Sequence, residues 1–160
     1  MNSPYNSITS ATDREWMLQA LQEAQLAYAA DEVPIGCVIT ENEQLISHSH
    51  NQTLALTDPC AHAEILALTL AAKKLGNHRL IHCEVFVTLE PCIMCIGAMI
   101  QARIKRLVFA ADDPKKGILS QQDLREIFPQ LNHYFRVESG LLQDPSQHLL
   151  KNFFQGKRTS

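Results

Sequence analysis

A histidine and a glutamate stand two apart in the run Ala61–His62–Ala63–Glu64–Ile65, and two cysteines stand three apart in Glu90–Pro91–Cys92–Ile93–Met94–Cys95. Imidazole nitrogen and thiolate sulfur are the donors a borderline-soft cation such as Zn2+ prefers. Three of them with no evident fourth leave a coordination position open to water, the pattern of a catalytic zinc site. Zinc brings the pKa of bound water down to about 7, so hydroxide is at hand at neutral pH. Hydrolysis then needs a group to carry protons, and Glu64 stands beside His62 to do so. The residues read as one site are therefore His62, Cys92 and Cys95 for the metal and Glu64 for proton transfer.

Each phrase alone reads more plainly. Cys92-x-x-Cys95 after a strand could be a redox pair. His62 on a largely apolar helix could be a core histidine, and Glu64 a charge at a helix end. A structural zinc with Cys60 or Cys83 as fourth ligand is a further alternative. The two phrases together favour the catalytic site.

The elements around the phrases give them a meeting place. Asp58 and Pro59 open a helix that Gly76 ends, with His62 in its first turns. Pro91 opens a second helix over 91–104, whose first turn holds Cys92 and Cys95 on one face, where free N–H groups favour thiolates. In a regular helix positions 62 and 64 point about 200° apart, so joint use of both requires the site to lie at the helix end. Strands are expected at 33–40, 45–51, 84–89, 106–111 and 133–139. Further helices are expected after a Thr12–Glu15 capping box, over 120–128, and from 145 to the C-terminus. Strands alternating with helices indicate an α/β protein with a mixed, mostly parallel five-stranded sheet whose first pair is antiparallel. Helix N-termini after parallel strands gather at the carboxyl edge of such a sheet, which brings the two phrases together.

The chain of 160 residues suits one domain over 1–160, with 1–11 and 156–160 expected to be loose ends. A net charge of −3 gives no support to broad nucleic-acid binding, though a local basic patch remains open. Five cysteines in a chain with no apparent leader or membrane span make the cytoplasm the expected location, and no membrane partner is expected. Lys115 and Lys116 in a polar loop, Arg103, Lys105 and Arg106, and Lys157 and Arg158 near the C-terminus are candidate phosphate contacts; for each the plain alternative is a solvated charge. Phe153 and Phe154 could stack on bases, but with Leu149 and Leu150 they read rather as a core stripe. The helix "CIMCIGAMI" is apolar nearly all round and must be covered on more than one side.

His-x-Glu followed by Pro-Cys-x-x-Cys is a signature of zinc nucleobase deaminases. The runs "EVPIGCVI", "DPCAHAEILAL", "NHRL", "VFVTLEPCIMCIGAMIQARIKRLVFAADDPKKG" and "LNHYFRVESGLL" resemble the bacterial tRNA-specific adenosine deaminase family of the cytidine deaminase-like superfamily. That resemblance implies a three-layer α/β/α fold and one Zn2+ per subunit held by His62, Cys92 and Cys95. It implies Glu64 as proton shuttle, Asn51 holding the target base, and the backbone near Ala63 assisting. The implied reaction is hydrolytic deamination of adenosine to inosine at the wobble position of a tRNA anticodon, hydroxide attacking C6. The implied partners are an anticodon stem-loop and a second copy in a homodimer, with no DNA. After "DPKKG" the family runs on with small residues, whereas this chain reads "ILSQQ" at 118–122, close to where the RNA lies. A deaminase of a free nucleobase or nucleotide, such as guanine or deoxycytidylate, would share the zinc phrases and is the alternative.

Overall fold

Ser10, two residues upstream of Thr12, opens the first helix. In the computed structural model, which describes Tyr5 and residues 9–159, α1 spans Ala11–Ala29. The Ser10 hydroxyl accepts the Asp13 N–H at 3.0 Å and the Asp13 carboxylate accepts the Ser10 N–H at 2.9 Å. The capping box is thus Ser10–Asp13 instead of Thr12–Glu15.

The strands are β1 (Gly36–Glu41), β2 (Gln44–His50), β3 (Cys83–Leu89), β4 (Arg106–Ala111) and β5 (Arg136–Ser139), in the order β2-β1-β3-β4-β5. The sheet is five-stranded and mixed as expected, but it is not mostly parallel. β1 runs antiparallel to both β2 and β3, while β3–β4 and β4–β5 are parallel. The cause is local. Asn42 and Glu43 both take positive φ, 50° and 58°, the backbone of a two-residue hairpin turn. The chain then crosses back through α2 (Ala63–Leu75) to lay β3 on the free side of β1.

Side chains alternate across the sheet. Cys37, Ile39, Val85, Val87, Leu107 and Phe109 pack with Ala67, Leu68 and Ala71 of α2 and with Ile96 and Met99 of α3 (Ile93–Ala102). Val38, Phe86, Val108 and Ala110 face the other way, with Met17 and Ala20 of α1; α5 (Gln143–Arg158) lies on that side as well. The three layers are α/β/α. At Gly36 a Cβ would come within 1.9 Å of the Ala20 carbonyl oxygen, so a side chain there would push α1 off the sheet.

The helix expected over 120–128 is one turn, α4 (Leu124–Ile127), capped by Asp123. Leu119 before it and Leu124 at its start are both buried in the core. The expected loose ends are also better held than composition implies. Ser10 and Ala11 belong to the start of α1, and the Tyr5 hydroxyl accepts the Leu124 N–H at 2.8 Å; the other residues before 9 lie outside the described residues. At the C-terminal side α5 continues to Arg158, and Lys157 pairs with Asp31 at 2.5 Å. Among the described residues no helix is long and apolar enough to cross a membrane.

At the amino ends of β3 and β4, Arg106 sits among three carboxylates. Its guanidinium donates to Asp13 at 2.8 and 2.7 Å, to Glu84 at 2.7 Å and to Glu138 at 2.6 and 3.2 Å.

Candidate active site

The helix carrying His62 begins later than its sequence suggests. Asp58 accepts the Cys60 N–H at 2.8 Å and closes a turn rather than capping a helix. His62 is the N-cap of α2, with extended backbone (φ −72°, ψ 151°), and Ala63 is the first helical residue. The 200° separation of a regular helix therefore does not apply to His62 and Glu64. One side chain leaves an extended residue and the other leaves the first turn, so both reach the same site. α3 repeats the design: Cys92 is its N-cap (φ −71°, ψ 169°), one residue after Pro91, and Cys95 lies in the first turn.

The two helix starts bring the three ligand candidates together. Cys92 Sγ and Cys95 Sγ are 3.7 Å apart, and each is 3.6 Å from His62 Nδ1. For Zn–S near 2.3 Å and Zn–N near 2.0–2.1 Å, a tetrahedron has edges of about 3.8 Å between sulfurs and about 3.5–3.6 Å from sulfur to nitrogen. The donor triangle matches a zinc ion in size and in chemistry. Among the described residues the group has three members. Cys60 is exposed on its loop and Cys83 is buried in the core at the start of β3, so neither supplies a fourth ligand.

The protonation of the cluster fits this reading. The Cys95 S–H, then His62 and the Cys95 backbone N–H, push the Cys92 thiol down to about 3. The Cys92 thiolate in turn raises the His62 imidazole and drives the Cys95 thiol up. Cys92 is thus the thiolate of the cluster. Loading a dication displaces the remaining protons, so affinity rises with pH.

Glu64 is buried, and among the described residues its Oε2 has no hydrogen-bond partner. Burial pushes its carboxyl up to about 7, against opposing pulls from its own N–H and from His62. A buried carboxyl with one oxygen unpartnered, titrating near neutrality, is suited to moving protons. It lines a cavity of about 640 Å³ together with His62, Cys92 and Asn51, between apolar walls from Val33, Ile35 and Leu89.

Asn51, also buried, follows β2. Its Oδ1 accepts the Ala63 N–H at 2.8 Å. Because that partner is a donor, the oxygen must face it, and the NH2 group is left for the cavity. This bond also commits the Ala63 N–H. Asn51 thus caps α2 next to His62 and lines the cavity at once.

Two buried glutamates escaped the sequence reading. Glu32 accepts Leu54 N–H and Ala55 N–H, each at 2.8 Å, and the Thr53 hydroxyl at 3.1 Å. Glu90 accepts Asp113 N–H at 2.9 Å and Ser120 N–H at 2.8 Å. Each fastens a loop beside the cavity. The signal was available: a lone carboxylate inside an apolar run, as in "TLEPC", must find buried donors.

The charged and aromatic candidates divide. Lys115 and Lys116 lie exposed at the rim. Arg103 and Lys105 lie at the far end of α3, away from Cys92, and Arg106 is taken up by its three carboxylates. Lys157 pairs with Asp31 and lies 5.5 Å from the centre of the Phe153 ring. Phe153 is buried, edge-on to Tyr28 at 5.7 Å, whereas Phe154 is 47% exposed and lines the cavity with Leu150 and Lys151. The Ser146 hydroxyl donates to the Thr88 carbonyl and ties α5 over this end of the sheet.

Residues 11–158 match the MafB19-like deaminase family. The chain is 40% identical over 152 residues to a tRNA-specific adenosine deaminase of Haemophilus influenzae, covering 94% of this chain and 88% of that one. A structure solved in studies of A-to-I editing by tRNA:A34 deaminases at the wobble position of transfer RNA superimposes with a TM-score of 0.81 at 41% identity, covering 85% of this chain and 99% of that one. A guanine deaminase from Nitrosomonas europaea superimposes with a TM-score of 0.75 at 27% identity, over 94% and 88% of the two chains.

Proposed function

The chain belongs to the MafB19-like deaminases and, within them, to the tRNA-specific adenosine deaminase family, and from that premise we propose that it converts adenosine to inosine at the wobble position of a tRNA anticodon. The observation that carries this reading is the zinc-sized triangle of His62, Cys92 and Cys95 set beside the unpartnered Glu64 oxygen in the cavity.

In this reading His62, Cys92 and Cys95 hold one Zn2+ per chain. When bound, zinc supplies Lewis acidity and hydroxide at neutral pH. Glu64 takes one proton of the attacking water at Oε2 and gives it to the purine ring nitrogen, then takes the proton of the new C6 hydroxyl and gives it to the amino group, which leaves as ammonia. Water and adenosine give inosine and ammonia, with no proton unaccounted for. The Asn51 NH2 group offers donors to an acceptor on the base, and Val33, Ile35 and Leu89 exclude water from its faces. A base must leave its stack to enter such a cavity, and an unpaired loop nucleotide does so at low energetic cost. Lys115 and Lys116 at the rim hold the flanking phosphates.

The cytoplasm, where thiols stay reduced, suits Cys92 and Cys95. A homodimer suits α3, whose outer side leaves Ile93 62% exposed. Neither membrane nor DNA is a partner in this scheme.

The test is incubation with an anticodon-loop RNA carrying a wobble adenosine, followed by nucleoside analysis. Inosine is expected, along with about one zinc per chain that Cys92→Ser removes. Turnover of free guanine or deoxycytidylate with the RNA left intact would replace this reading with the free-base alternative.

A further inference from the structure

Glu90 takes no part in the chemistry above, yet it is 3% exposed, lies two residues before Cys92 and reaches the cavity. Among the described residues no ion pair includes it. A buried carboxylate without a cation persists only where aligned N–H dipoles replace water. Here the dipoles come from both ends of one loop. Asp113 N–H reaches Oε2 at 2.9 Å and Ser120 N–H reaches Oε1 at 2.8 Å. One side chain thus closes the base of the 113–120 loop.

The loop is moulded around that carboxylate. A Cβ on Gly117 would lie 2.2 Å from Glu90 Oε2 and 2.5 Å from the Asp113 carbonyl oxygen, so only glycine fits. Asp113 Oδ1 accepts Lys115 N–H at 2.9 Å and Lys116 N–H at 3.2 Å. That turn carries both lysines outward to the rim, while Leu119 anchors the return in the core.

We propose that Glu90 is a positioning residue: a clasp that fixes the 113–120 loop so that Lys115 and Lys116 meet the RNA backbone without further ordering. The proposal rests on the RNA reading of the site. A loop already in its bound shape spares the entropy of ordering it on binding, so the clasp acts on substrate affinity and not on the chemical step.

Two variants break the clasp from opposite sides. Glu90→Gln keeps the shape but turns an NH2 towards an N–H donor. Gly117→Ala changes no charge and drives a methyl group into the carboxylate. Each should raise KM for an anticodon stem-loop about tenfold or more, with kcat and zinc content close to wild type. Amide exchange at Asp113 and Ser120 should quicken while that at Ala63 stays protected. The double variant should be no worse than the more damaging single one, because both remove the same contact. Additive losses, a fall in kcat at unchanged KM, or unchanged exchange at Asp113 and Ser120 in Glu90→Gln would each overturn the clasp. A wild-type protein that ignores RNA would sink the substrate reading alone, since exchange judges the clasp without RNA.

Discussion

Charged side chains are buried at both ends of the sheet, and the two ends treat them in opposite ways. At the amino ends of β3 and β4, Arg106 meets Asp13, Glu84 and Glu138 through five hydrogen bonds. Burial alone would raise the Asp13 carboxyl, but the Arg106 hydrogen bonds hold it below its ordinary range. At the carboxyl ends, Glu64 is buried with one oxygen unpartnered, and its carboxyl is pushed up to about 7. Satisfied charge fixes a structure; unsatisfied charge is kept where a proton must come and go. Glu32 and Glu90 lie at the second end but follow the first rule, since each of their oxygens meets a donor, backbone N–H groups and, for Glu32, the Thr53 hydroxyl. The division is therefore between groups, not merely between places.

The sharpest way to break the comparison is Glu64→Gln. Turnover should fall by about 10²–10⁴ or more, with zinc and fold retained. Near wild-type turnover would show that the unpartnered oxygen is incidental. Next in size, Arg106→Leu strips the cation from the buried Asp13, while Glu84 keeps Lys105 and Glu138 keeps Arg136, and should cost about 3–5 kcal/mol of stability. Chemical denaturation measures it, and activity per folded molecule should hold.

Opposite pKa shifts also give opposite pH responses. Asp13, lowered from 3.8, contributes stability above that value and loses it as pH falls through its lower folded pKa. Asp13→Asn should therefore be less stable than wild type at pH 7, the gap closing in acid. Glu64, raised from 4.5 to about 7, has the reverse sign: its protonated form suits the fold, and that stability is lost as pH rises from 4.5 through 7. In metal-stripped protein Glu64→Gln should melt above wild type at pH 8 and level with it near pH 4. Melting curves that ignore pH in both variants would erase the distinction. The smallest effect expected is at the rim. Lys115→Gln with Lys116→Gln should flatten the salt dependence of RNA binding by about 0.7 per lost phosphate contact, as read by titration at several salt concentrations.

Much of this was legible in the residues. The two metal phrases, the strand at 106–111 and the αL stop at Gly76 follow from chemistry that acts within a few positions. What was missed depended on distant partners. Asp58 looks like a helix cap until Cys60 claims it, and only the late start of α2 lets His62 and Glu64 share a site. Glu90 and Glu32 could be suspected from their apolar surroundings, but not the loops they hold. The adjacent Phe153 and Phe154 cannot both face one core from one helix, and the structure sends one inward and one to the cavity. Arg106 is claimed by three carboxylates from α1, β3 and β5, a partnership that no local pattern announces.

The strand order also dictates how the protein comes together. β1 and β2 meet through a two-residue turn, a contact the chain can find within microseconds. β3 must close a loop of about fifty residues before Cys37 faces Val87, and closure entropy delays such pairing. Only then does Cys92 come near His62. Asn51 and Ala63 can join early, so half of the metal cradle waits, already shaped, for its other half. In the proposed scheme the ion would be held only by chains in which β3 has joined β1 and brought Cys92 and Cys95 to His62. Its capture would make that long-range step harder to reverse.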